Sequence, residues 1–131
     1  MEISINWWGV VLAAVSAFMV GGLWYSLLFA RPWARLAAVT EDRLQTGSLR
    51  VFAGSFLLAI VMATVLAALI GPAGAGFGAL AGLAVGVGWV ATSLGIIALF
   101  ERRPLGYWAV NAGYAAVSHP VMGAIVGAFQ G

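Results

Sequence analysis

Cysteine is absent from the 131-residue chain, which excludes disulfides, iron–sulfur clusters and thiol nucleophiles together and leaves the redox compartment open. Charge of either sign is scarce: lysine is missing, the six cations are all arginine, and charged residues make up 8% of the chain against 63% hydrophobic. A lone histidine, His119, rules out a metal site assembled by one chain from several imidazoles. No Asp, Glu, Lys or Arg lies in the middle of any long apolar run. Proton-coupled pumps and antiporters need a titratable carboxylate at mid-depth, so the sequence argues against both. The amino-terminal Met-Glu-Ile-Ser-Ile-Asn lacks the positive region of a secretory signal, and the run behind it is longer than a signal's apolar segment. We expect that segment to remain in the mature protein.

What is present is apolar surface far beyond what a soluble core of this size could hide, so the solvent for most of the chain is lipid. A helix needs about 20 apolar residues to cross the hydrocarbon, and residues 6–30, 49–71, 74–100 and 105–129 meet that requirement. The runs are continuous and do not alternate with period two, which selects helices over a barrel. We therefore expect an all-α membrane protein in which residues 1–131 form a single domain, a bundle of four transmembrane helices. Gly71-Pro-Ala-Gly-Ala-Gly76 predicts a tight turn between the second and third helices.

Arg31, Arg35, Arg43 and Arg50 flank or occupy the first loop, and Arg102 and Arg103 the third, while the second loop has none. By the positive-inside rule the basic loops, 31–50 and 101–104, are cytoplasmic and both termini lie outside. The basic loops are short, so no nucleic-acid partner is expected. Trp7 and Trp8 suit the outer interface, and Trp33, Tyr107 and Trp108 the inner one. Trp24 and Trp89 fall deeper and are expected in internal packing or a cavity wall. Thr40, followed by Glu41 and Asp42, predicts a cap on a short loop helix. Leu28-Phe-Ala-Arg-Pro32 faintly echoes Leu99-Phe-Glu-Arg-Arg-Pro104, which is too little to support a repeat-based transport cycle.

Glycine supplies the strongest pattern. Gly74, Gly78, Gly82 and Gly86 recur at every fourth position, a stripe that drifts only about 40° per step on a 3.6-residue helix. Gly123 and Gly127 in the fourth helix, Ala13, Ala17 and Gly21 in the first, and Ala59, Ala63, Ala67 and Gly71 in the second provide counterparts. Lipid tails are as apolar as leucine, so helices associate through close contact and buried hydrogen bonds. Tight, glycine-rich packing is the expectation, with one or more stripes available to a second copy or another membrane protein.

On a helical wheel Asn111, Tyr114, Ser118 and Met122 fall within about 80° of one another, and His119 lies beside them. Pro120 has no N–H, so the Ala116 carbonyl loses its helical partner and the helix should bend there. Four readings of His119 follow. The imidazole, Ser118 and the freed carbonyl could satisfy one another; the imidazole could ligate a macrocycle, with Ala115 leaving room for the ring. It could join a metal site shared between copies, or line a solute pathway with Asn111, Tyr114, Ser118, Thr92 and Ser93. Nucleophilic catalysis fails because one possible base has no acid placed to orient it. Small multidrug transporters share the chain's size and helix count, but the buried glutamate of their first helix has no equivalent here.

Several segments together carry a family likeness: Asn6-Trp7, Gly21-Gly-Leu-Trp-Tyr-Ser26 with Leu28-Phe29 and Trp33, Arg103-Pro-Leu105 with Trp108, and Asn111-Ala-Gly-Tyr114 with Met122-Gly123. The chain resembles, over nearly its whole length, a family of small bacterial four-helix membrane proteins known as domain of unknown function seventeen sixty-one. The resemblance implies a bacterial multi-pass protein and brings no activity, substrate or catalytic residue. Asn6, Trp24, Tyr25, Ser26, Asn111 and Tyr114 are the motif positions it favours for a shared site, and the pair His119-Pro120 is not among them.

The sequence thus points to a non-enzymatic accessory or packing component of a bacterial inner membrane, without cofactor or metal, that self-associates or joins a larger complex. The alternative is a homo-oligomeric channel or carrier for a neutral or weakly polar solute. A third reading is a cofactor-binding subunit using His119.

Overall fold

Inside lipid a backbone can satisfy its own N–H and C=O groups only by helical bonding or barrel closure. The computed structural model describes residues 5–37 and 48–131, and among these every element is helical. Four helices are long and apolar enough to cross a membrane: Trp7–Leu28, Leu49–Ile70, Ala75–Phe100 and Leu105–Gln130. We refer to these as the first to fourth spans. The bundle expected from hydropathy is the one observed. The loop helix expected after Thr40, with Glu41, Asp42 and Arg43, lies outside the described residues.

Each helix end has a local cause. The Asn6 carboxamide oxygen accepts from the N–H groups of Trp8 (3.1 Å) and Gly9 (3.3 Å), capping the first span. Gly71 (φ +61°) closes the second span and Gly74 (φ +92°) opens the third, left-handed positions that favour glycine. The third span ends less comfortably. Arg102 adopts φ +57° where glycine is usual, while Arg103 N–H reaches back to the Ala98 carbonyl at 2.9 Å in a Schellman-type closure.

The first span is shorter than the apolar run suggests. Phe29 leaves helical geometry (φ −128°, ψ 22°), and a separate helix, Ala30–Ala37, follows. Pro32 sits in its first turn, where its missing N–H is no loss. Arg31 and Arg35 are exposed, one turn apart, while Trp33, Leu36 and Ala37 are half-buried. That division suits a helix lying in the membrane interface.

The fourth span is the hub. Of its best apolar window 44% is buried, against 22%, 28% and 17% for the first, second and third spans, although its hydropathy is the lowest of the four. The least lipid-soluble helix occupies the position that lipid touches least. Against it and one another, the first and second spans pack mainly through alanine: Val10, Ala13, Ala14 and Ala17 meet Ala59, Ala63, Leu66 and Ala67, closed by Met122 and Val126.

The third span meets the fourth backbone to backbone. A Cβ placed on Gly78 would collide with the Gly123 carbonyl, one on Gly82 with the His119 carbonyl, and one on Gly127 with the Gly74 carbonyl. Its buried small residues run Gly78, Gly82, Gly86, Ala91 and Ala98. The single five-residue step coincides with a π-helical turn at Gly86–Ala91. A turn closed by i to i+5 bonds holds an extra residue, which brings Ala91 to the buried face after four-residue steps have begun to drift. Trp89, expected inside, is instead 71% exposed. The bulge and glycine face claim the buried side of this helix, and the large ring projects away from it.

Candidate functional site

The aromatic segment of the first span and the Asn111-to-Tyr114 segment of the fourth interlock. Trp24 lays its ring over Gly113, where an added Cβ would stand 2.8 Å from Trp24 Cζ2, and its indole N–H donates to the Val110 carbonyl at 2.8 Å. The Tyr25 hydroxyl donates to Asn111 Oδ1 at 2.6 Å. Tyr114 returns the contact, donating to the Ala17 carbonyl at 3.0 Å while its ring lies beside Gly21. Ring centroids stand 5.5 Å apart for Tyr25 and Tyr114, 5.4 Å for Tyr25 and Trp33, and 4.8 Å for Trp24 and Phe29.

A π-helical turn at Trp24–Leu28 makes this possible, with Phe29 N–H bonded to the Trp24 carbonyl at 2.8 Å. On an ideal α-helix adjacent side chains diverge by about 100°. A wider turn reduces that angle, so Trp24 and Tyr25 both reach the fourth span. Nothing in the apolar periodicity announces this turn.

Other expected site residues stand elsewhere. Ser26 is exposed, beyond the interlock. Asn6 lies at the opposite end, where its N–H donates to Gln130 Oε1 (3.1 Å) and its Nδ2 to the Phe129 carbonyl (3.3 Å). Gln130 Nε2 in turn donates to the carbonyls of Ala67 and Gly71, both at 2.9 Å. This clasp ties the first, second and fourth spans together. Gln130 escaped the sequence reading, although a polar side chain closing an apolar run is a signal for the unpartnered carbonyls of a neighbouring helix end.

Ser118 and His119 are buried, the imidazole only 4% exposed. His119 Nδ1 stands 3.1 Å from the Ala115 carbonyl and 3.3 Å from Ser118 Oγ; with the proton on Nδ1, it donates to Ala115. The carbonyl expected to receive the imidazole was that of Ala116, one residue later. Helical structure continues through Pro120 without a break. Thr92 and Ser93 are exposed and turn back onto their own helix, donating to the Trp89 carbonyl at 2.8 and 2.7 Å. They therefore do not face Asn111, Tyr114, Ser118 and His119, and the pathway expected from those six residues does not assemble within one chain.

The candidate positions thus resolve into an interlock of Trp24, Tyr25, Asn111 and Tyr114, a buried pair of Ser118 and His119, and a terminal clasp through Asn6. Among the described residues no buried side-chain nitrogen or oxygen lacks a hydrogen-bond partner. None of three or more His, Cys, Asp or Glu side chains gathers in a metal-binding group there either. The interlock offers directional bonds between helices, and the Ser118 hydroxyl beside the His119 imidazole is fully buried.

These features define a small multi-pass helical membrane protein whose motif residues bond one span to another. The chain belongs to the family described as "Protein of unknown function (DUF1761)", whose profile matches residues 8–127. No curated protein and no solved structure matches it.

Proposed function

We propose that the protein is a non-enzymatic component of a bacterial inner membrane that self-associates or joins a larger membrane assembly. Both termini are then outside and the arginine-bearing loops cytoplasmic. The observation that carries this reading is the outward side of the third span. Its buried face lies on the fourth span, while Ala84, Gly88 and Thr92, at every fourth position, are exposed, and among the described residues no other element lies within 4 Å of a Cβ added at Gly88. Small residues in such a row permit the close helix approach by which spans associate in lipid.

The internal polar groups support the same reading, because their hydrogen bonds join the spans of one chain. A solute channel would draw on the same stripe, but Thr92 and Ser93 point away from it. Ligation by His119 would require a macrocycle to enter where the imidazole is 4% exposed and packed on Gly86.

The absence of cysteine makes the test direct. Gly88→Cys in native membranes should give an oxidant-dependent crosslinked species, whereas Leu58→Cys, on the exposed side of the second span, should give far less. Equal behaviour of the two variants would defeat the assignment of the third span as the associating face.

A further inference from the structure

A groove of about 310 Å³ opens between the third and fourth spans at the arginine-bearing end, lined by Gly95, Ala98, Leu99, Arg103, Leu105 and Trp108 among others. It faces the bilayer: Leu99 and Leu105 on its rim are each 77% exposed. Gly95 lets the Trp108 indole lie close against the third span, since a Cβ there would stand 3.1 Å from Trp108 Nε1. The Trp108 indole is itself held by its bond to the Ala91 carbonyl at 2.8 Å. From Gly95 to the helix end at Phe100 the wall covers about 7.5 Å of depth at 1.5 Å per residue, and Arg103 follows in the turn beyond it. The wall is thus apolar towards the bilayer interior and cationic at its mouth.

Arg103 is positioned by two contacts. Nη1 donates to the Ala37 carbonyl at 3.3 Å, and the guanidinium carbon lies 5.1 Å from the centroid of the Tyr107 ring. A guanidinium has five N–H donors in a planar fork suited to phosphate, and the Ala37 bond uses one. Arg102, next in the chain, is exposed and is not part of the groove's lining. Among the described residues, Arg31, Arg35, Arg50, Arg102 and Arg103 belong to this end, against Glu101.

We propose that this groove binds an anionic phospholipid, its phosphate on Arg103 and one acyl chain along Gly95, Ala98 and Leu99. Charge complementarity selects the headgroup, and the apolar wall opening sideways into hydrocarbon selects a lipid over a soluble anion. A phosphate on Arg103 would also lie near the start of the fourth span, whose first turn has no side-chain cap.

Native mass spectrometry of the full chain, after exchange into detergent with added phosphatidylglycerol or phosphatidylcholine, tests the site. Wild type should retain phosphatidylglycerol preferentially. Arg103→Gln should lower that retention about tenfold, the scale of one lost charge-assisted phosphate contact, while Arg35→Gln should change it less than about twofold if exposed charge acts only weakly. Inorganic phosphate should not displace the lipid. Lack of a phosphatidylglycerol preference in wild type would overturn the proposal whether or not Arg103→Gln folds. Equal loss in Arg35→Gln would reduce the effect to diffuse attraction, and displacement by inorganic phosphate would remove any role for the groove; either result rejects the site.

Discussion

The Tyr25 hydroxyl donates to Asn111 Oδ1 across 2.6 Å, joining two residues 86 positions apart in the chain. One partner sits on a π-helical turn near the end of the first span and the other a turn and a half into the fourth. Bonds of this kind between membrane helices contribute about 0.6 kcal/mol on average and at most about 1.7. Tyr25→Phe should therefore destabilise the fold by about 0.5–1.5 kcal/mol. A double-mutant cycle with Asn111→Ala, read by unfolding in mixed micelles, should return a coupling of similar size. Strict additivity would mean that the contact contributes nothing.

Glycine at position 113 is the floor on which Trp24 rests. Gly113→Val would put a branched side chain where even a Cβ approaches Trp24 Cζ2 to 2.8 Å, and overpacking of this kind costs about 1–3 kcal/mol. Gly21→Ala, whose Cβ would meet the Tyr114 ring at an ordinary 3.5 Å, should be near neutral. Thermal unfolding in detergent compares the pair, and a smaller loss for Gly113→Val would contradict the interlock.

Backbone contact between the third and fourth spans predicts a sharper contrast. Gly82→Leu cannot be accommodated without separating the helices, because a first carbon already collides with the His119 carbonyl. Leu69→Ala, at a side chain 64% exposed, should stay within about 0.5 kcal/mol of wild type. Size-exclusion profiles should show Gly82→Leu aggregated or polydisperse and Leu69→Ala unchanged.

Much of this fold was legible in the sequence because the governing constraint is simple. Apolar runs of spanning length must be helical, and their number and bounds follow, except where Phe29 and Pro32 break the first run before residue 30. Local geometry was less legible. The π turns at Trp24–Leu28 and Gly86–Ala91 arise from tertiary demands, the first bringing two adjacent aromatics to one neighbour and the second re-registering a drifting small-residue face. Trp89, expected in packing or a cavity wall by its depth, and Thr92 and Ser93, expected in a pathway, are exposed at or just after the second of these turns. Motif residues suspected of sharing a site were partly brought together: Trp24, Tyr25, Asn111 and Tyr114 meet, whereas Asn6 and Ser26 do not join them. Gln130 closing an apolar run signals a bond to some helix end, but nothing in chain order singles out the second span, because its acceptors are ordinary backbone carbonyls.

His119 emerges as a packed polar residue. His119→Leu removes the imidazole contact with the Ala115 carbonyl, but an α-helical backbone still offers that carbonyl an N–H at position 119. The expected loss is about 0.5–1.5 kcal/mol, the net scale of one hydrogen bond. Unfolding transitions of the variant and wild type check it, and a much larger loss would give the imidazole a greater role than this geometry supports.

The claim on which the account turns is that this chain works in association. Detergent-free extraction of untagged protein from native membranes into polymer-bounded discs, followed by mass determination, tests it most directly. The account predicts discs that contain two or more copies, or one copy with another membrane protein in fixed ratio. Discs that hold a single copy and no partner, at native expression levels, would contradict it.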